Sequence, residues 1–369
     1  MFRRPAILQA LVLSFMSCGS KFATFGVIAF AQIISVSVAS AADTNYDLKP
    51  ISLPGATGAV ALDYFAYDRA TGKLWVPASD TESVDIIDEA TEAVSRITGF
   101  QTGEIERHGR KITVGPTAAS IGDGVVYIGN RGNATLCVID PQTLDRGECF
   151  PASSDHSVTP DGVVYVAKTK ELWVTTRPVS SATVDAAKAL QVFDASDPRH
   201  LKWKTKIPLE NLAEGYAVDN ERGLFFTNVE ETGTTVAIDV QTHKIVSKYH
   251  PGSSDLQGLG LDNTRRFLFV ACGDHVVSID AGHGGKVIDS ITTGPGLDNI
   301  DYSSEAKLLY AAASQAASLT VAEVDDHGKF HLRATVPTVK GARGVVAGKG
   351  ETAYLIDPAE GRILKLIRK

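Results

Sequence analysis

The stretch LDYFAYDRATGKLWV (62–76) sets a pattern: a polar residue, an alternating apolar run, a turn, then a second run carrying an aromatic. It returns as PTAASIGDGVVYIGN (116–130), PDGVVYVAKTKELWV (160–174) and AEGYAVDNERGLFFT (213–227). LQGLGLDNTRRFLFV (256–270), LDNIDYSSEAKLLYA (297–311) and ARGVVAGKGETAYLI (342–356) complete the set. With Asp63, Thr117, Asp161, Glu214, Gln257, Asp298 and Arg343 as equivalent points, the spacings are 54, 44, 53, 43, 41 and 45 residues. Runs of Val, Ile, Phe and Tyr broken by Gly, Asp, Asn and Pro are strand-and-turn chemistry, and no long amphipathic helix interrupts them. A period of about 40–50 residues holding four strands is the signature of a propeller blade. The sequence therefore predicts an all-β, seven-bladed β-propeller of four-stranded antiparallel blades.

Working outward, the two long spacings mark insertions at 99–111 and across 178–188 and 196–204. Third strands end in an apolar-Asp pair: Ile87-Asp88, Ile139-Asp140, Phe193-Asp194, Ile238-Asp239 and Ile279-Asp280. Asp suits this place because its carboxylate accepts backbone N–H groups of the following turn. The aromatics Trp75, Tyr127, Trp173, Phe226, Phe269, Tyr310 and Tyr354 recur at the second strand, and packing between neighbouring sheets is the expected role. After Ile356 there is room for one more strand, 362–367, so the seventh blade lacks its outer strand. The segment 46–53 has no blade of its own and is expected to supply it, sealing the ring and covering two sheet edges.

Composition narrows the function classes. A formal charge of −7 disfavours binding nucleic acid through a basic surface, which needs clustered Lys and Arg. Four Cys in 369 residues cannot frame a disulfide mini-fold. Residues 1–41 carry Arg3, Arg4 and Lys21 and no acid, followed by an uncharged run that ends in Ala39-Ser40-Ala41. That is an export signal with cleavage expected after Ala41, leaving one domain, 42–369, in the periplasm with no stable membrane insertion. A retained anchor is the rival reading, and Arg3-Arg4 and Cys18 are weak twin-arginine and lipoprotein features. Cys137 and Cys149 flank the turn 140–148 and are expected to form a disulfide in an oxidising compartment. Cys272 is left over as a buried small hydrophobe.

The segments LWVPASDTESVDIID (74–88), VVYIGNRGNATLCVID (125–140), GLDNIDYSSEAKLLYAA (296–312) and VPTVKGAR (336–343) carry a resemblance. The pattern resembles the YVTN β-propeller repeat proteins, the YncE-like exported propellers of bacteria, across essentially all of 42–369. Phe226-Thr227-Asn228 and Tyr127-Ile128-Gly129-Asn130 are the nearest forms of the naming core. The resemblance implies fold and export, and no particular reaction.

Propeller sites lie where the loops into the innermost strands converge, so Asp63, Thr117, Asp161, Glu214, Gln257, Asp298 and Arg343 form the candidate ligand-binding set. Four are carboxylates, which repel one another unless a cation or arginine neutralises them. Arg343 is one solution. Ca²⁺ or another divalent metal, on Asp63, Glu214, Asp298 and Asn299, is another. The plain alternative is that these side chains hold turn amides and channel water. His108, His156 and His250, with Asp155 and Asp255 nearby, suggest a weaker transition-metal set, while His283, His327 and His331 read as turn surface. Three functions follow. The first is a monomeric, non-catalytic binding or scaffold protein for a small molecule, metal or periplasmic protein partner. The second is a lactonase-like hydrolase with Glu214 or Asp298 as base and Arg343 or a metal polarising a carbonyl. The third is an accessory to a redox or metal-handling system.

Overall fold

Alternating strands with one buried face must stack against a neighbour, and here the neighbours form a ring. The computed structural model describes residues 45–107 and 110–369. The expected export signal (1–41) and His108 lie outside the described residues. Seven four-stranded antiparallel sheets follow in chain order. Blade one is Ala66–Asp68, Lys73–Ala78, Ser83–Asp88 and Val94–Thr98, from axis to rim. Blades two to six repeat it, with innermost strands Pro116–Gly122, Val158–Val166, Ala213–Asp219, Leu259–Asp262 and Leu297–Ser303. Blade seven consists of Val345–Ala347, Ala353–Asp357 and Arg362–Arg368, with Tyr46–Ser52 as its outer strand. That strand pairs antiparallel with Arg362–Arg368 along its length, from Tyr46 opposite Arg368 to Ser52 opposite Arg362. The ring is thus closed by the N-terminal segment expected to supply the missing strand.

The second-strand aromatics explain how blades adhere. Each is at most 2% exposed, and each belongs to the apolar cluster joining its own blade to the next. Three pack against an aromatic of the following blade's innermost strand: Tyr127 stacks on Tyr165 at 5.7 Å and Tyr354 on Tyr67 at 6.0 Å, and Phe269 meets Tyr302 tilted at 5.0 Å. Each such burial stabilises by about 1.5–3 kcal/mol.

Turn chemistry follows the predicted rule. The Asp88 carboxylate accepts the Thr91 N–H at 2.9 Å, Asp140 that of Gln142 at 2.8 Å, and Asp194 that of Ser196 at 2.9 Å. Asp239 accepts Thr242 at 2.7 Å and Asp280 accepts His283 at 3.0 Å. Cys137 and Cys149 lie directly opposite on adjacent strands and are disulfide-bonded, and Cys272 is buried and free. The first insertion is a separate hairpin, Gly103–Arg107 with Arg110–Val114. The second holds a short 3-10 turn and one helical turn, Val184–Ala187. Among the described residues no helix is long and apolar enough to cross a membrane.

Candidate functional site

The aligned positions meet at one end of the channel because each innermost strand begins there. In blades two, three, four and six the pairing with the second strand shifts register at this point, between Pro116 and Ala118, Pro160 and Val163, Glu214 and Tyr216, and Leu297 and Ile300. A bulge frees a peptide to turn toward the neighbouring blade. The Tyr64 N–H donates to the Thr117 carbonyl at 3.0 Å, Gly258 to Asp298 at 2.7 Å and Asn299 to Arg343 at 3.0 Å. Gly215 shows why a side chain is excluded: its φ is +65°, and a Cβ there would lie 2.5 Å from the Gln257 carbonyl oxygen. Thr117 and Gln257 thus contribute backbone to the ring. The buried Asn228 amide also donates to the Gln257 carbonyl, and Thr227 Oγ1 donates to Gly215 O at 2.7 Å. Asn228 is therefore a blade-to-blade clasp, while Thr227 fixes the bulge of its own blade.

The charged positions form two linked clusters. Arg343 Nη1 donates to Asp298 at 2.8 Å and Nη2 lies 3.3 Å from Asp63. Arg177 contacts Glu214, reaches Asp161 at 3.0 Å, and donates from Nη1 to Glu230 at 2.6 Å. Arg131 pairs with Asp161 from the other side. Tyr64 joins the clusters: its hydroxyl donates to Glu214 Oε1 at 2.6 Å, and its ring stacks on Tyr216 at 5.7 Å. Burial, then Glu214, Asp63 and Asp298, raise the Tyr64 pKa, so it remains a donor. Asp63 above all holds Arg343 protonated. At Arg177 burial opposes the charge, and Glu214 and Glu230 outweigh it. Burial raises the Asp298 carboxyl, with Arg343 opposing, although 30% of the side chain meets solvent.

Arginine, then, is what neutralises the acidic ring. Among the described residues no group of three or more His, Cys, Asp or Glu is arranged to hold a metal ion. Asn299 lines an inner channel cavity with Tyr64 and Tyr216, whose lining does not include Asp63, Glu214 or Asp298. His156 and His250, with Asp155 and Asp255, are exposed, and the two acids are turned to local donors, Ser157 and Gln257. His283 and His331 sit on the turn acids Asp280 and Asp325.

Arg131, Arg177, Glu230 and Tyr64 were not in the candidate set. The first three immediately follow or end second strands, whose antiparallel pairing returns them to the mouth beside Pro116, Val158–Thr159 and Ala213. That pairing was the signal available in the sequence.

Above the network lies a cavity of about 710 Å³ with Asp63, Arg131 and Arg343 at its polar wall. Val60 and Leu62 form one apolar side and Ile112 and Val114 of the inserted hairpin another, with exposed Lys340 at the rim. The hairpin is pinned at its base: Gly115 N–H donates to Ser79 Oγ at 2.7 Å, and Asn130 Nδ2 to the Gln101 carbonyl at 3.0 Å.

No family model matches the chain, and no curated protein matches it. Solved structures do. A chain of the mitotic checkpoint complex matches at TM-score 0.68 and 11% identity, over 98% of this chain and 99% of that one. The RRP9 WD40 repeats match at 0.66 and 10%, over 89% and 98%. The hydrazine synthase of Kuenenia stuttgartiensis matches at 0.64 and 15%, over 86% and 99%. At such identities the likeness is one of fold, and that fold is the propeller.

Proposed function

We propose that this chain is an exported, periplasmic propeller of the YVTN type that works by binding, with a small amphipathic molecule seated at the channel mouth. One observation carries the reading: an insertion absent from the other blades walls a cavity of about 710 Å³ over a charge network that is already satisfied. A volume of that order suits a small ligand, with apolar walls for its body and a few polar groups to orient it. Both Glu214 carboxylate oxygens are engaged, by Tyr64 and Arg177, and Asp298 is held by Arg343, which supports a positioning role for these acids over that of a free base. A propeller also serves as a scaffold, so a periplasmic protein that delivers or receives the ligand fits the same reading.

A crystallographic fragment screen tests this. Bound fragments are expected between Ile112 and Arg343, and Ala359→Trp, which fills the rim, is expected to remove them without lowering the melting temperature. An empty cavity across the library overturns the proposal. So does hydrolysis of a lactone that Glu214→Gln abolishes, or about one equivalent of divalent metal that Asp298→Asn loses.

A further inference from the structure

The channel has a second opening, at the far end of the innermost strands. Along blade one, Asp63 stands at the mouth, Tyr64 closes the axis, and Phe65, Tyr67 and Arg69 follow away from it. There a cavity of about 370 Å³ is lined by Phe65, Tyr67, Arg69, Tyr216 and Asp301. A smaller one of about 150 Å³, sharing Phe65, Tyr216 and Asp301, continues inward to Tyr64. No residue of the mouth network lines the larger cavity.

Asp301 breaks the repeat. Three residues past each aligned position the other blades carry Ala66, Ser120, Val164, Ala217, Gly260 and Val346, so blade six alone places a charge there. Its Oδ2 accepts the Ala347 N–H at 2.8 Å and its Oδ1 the Tyr302 N–H at 2.8 Å. Each oxygen has one protein partner there, and a carboxylate offers about four acceptor sites. Burial raises its pKa, opposed by those two backbone donors and then by Arg69, and a cation seated beside the carboxylate would favour its charged form.

Arg69 approaches from blade one and stands exposed at the opening. Its Nη1 donates to Gly348 O at 3.0 Å and its Nη2 to Ala347 O at 3.3 Å, with the guanidinium 5.8 Å from the Tyr67 ring centre. Two of five N–H donors are thereby used. Acid and base thus grip the two sides of one residue, Ala347. The acid sits within, the base at the rim, and the faces of Phe65 and Tyr216 provide apolar wall.

We propose that this far-side cavity is a second binding site, for a small zwitterion: an α-amino acid with an apolar side chain, its ammonium on Asp301 and its carboxylate on Arg69. The inference stands apart from the reading of the channel mouth, and neither depends on the other.

Isothermal titration calorimetry on the exported chain, with L-leucine as probe, tests it. Isoamylamine lacks only the carboxylate and isocaproate only the ammonium. Leucine is expected to bind with a Kd below about 1 mM, and each analogue at least about tenfold more weakly. Asp301→Asn and Arg69→Gln are each expected to weaken leucine by about tenfold or more, with the circular dichroism melt of Arg69→Gln unchanged. Asparagine keeps an acceptor for Ala347, and Arg69→Gln, at an exposed residue, carries the test if the first variant misfolds. No heat of binding up to about 10 mM leucine overturns the proposal. So does isoamylamine binding as well as leucine, or full leucine affinity in the two folded variants.

Discussion

Arg177 touches three carboxylates contributed by two blades, and only 23% of its side chain reaches solvent. Such a group costs desolvation that its partners must offset, and removing it leaves the partners buried and uncompensated. Arg177→Met is therefore expected to lower the unfolding free energy by about 3–5 kcal/mol in urea titrations. Adding Glu214→Gln should restore part of that loss, because one of the stranded charges goes with it. A loss under about 1 kcal/mol would mean the guanidinium is solvated and the network does not close the channel. This residue also marks where the sequence could be read and where it could not. Asp161, Glu214 and Asp298 occupy repeat-equivalent positions, so alignment of the blades exposed them. The position of Arg177 is charged in blades two and four, as Arg131 and Glu230, but is Ser79 in blade one and Ser314 in blade six. That position lies at the end of the second strand, outside the loops into the innermost strands where the candidate set was sought, whereas Asp301 escaped because only its blade carries a charge there.

At the scale of elements the legible features are those set by local chemistry. The apolar-Asp turns, the buried second-strand aromatics and the cross-strand Cys137–Cys149 pair each depend on a few adjacent residues, and the structure contains all of them. Ring closure needed only counting, since three strands of blade seven required a fourth. The use of the hairpin Gly103–Arg107 with Arg110–Val114 was not legible, because its position over the axis follows from contacts with Ser79 and Asn130 rather than from its own sequence. Closure makes a measurable demand. Tyr46, Ile51 and Leu53 are 8%, 7% and 3% exposed, so the strand contributes apolar burial on the order of 5 kcal/mol together with its hydrogen-bond ladder. Removing residues 45–53 from the chain 42–369 is expected to lower the melting temperature by about 10 °C or more. An unchanged melt would show that the ring holds without its closing strand.

For the whole molecule, repetition converts a small local effect into a global pH response. In the turns after third strands, donors from Thr91, Gln142, Ser196 and Thr242 hold Asp88, Asp140, Asp194 and Asp239 below the ordinary carboxylate range. An acid whose pKa is lower in the folded chain contributes stability that is fully present above its unfolded value, about 3.9, and lost as the pH falls through its folded value. Asp262 and Glu171 act in the same direction, because their hydrogen-bond donors outweigh burial. Asp85, Asp298 and Asp301 act oppositely: burial raises them, so they bind protons more readily folded than unfolded, and acid favours their folded form. The depressed acids recur blade after blade, whereas among the described residues the raised ones are confined to three positions. Melting temperature should accordingly fall as pH drops from about 5 to about 2, and the combined variant Asp88→Asn, Asp140→Asn, Asp194→Asn and Asp239→Asn should flatten that fall. Asparagine retains an acceptor oxygen for each turn and removes only the titration, so the variant separates charge from geometry. A melting temperature that rises toward pH 3 would place the pH response in the raised acids Asp85, Asp298 and Asp301, and a fall that the four substitutions leave intact would place it in Asp262 and Glu171 instead of in the turns.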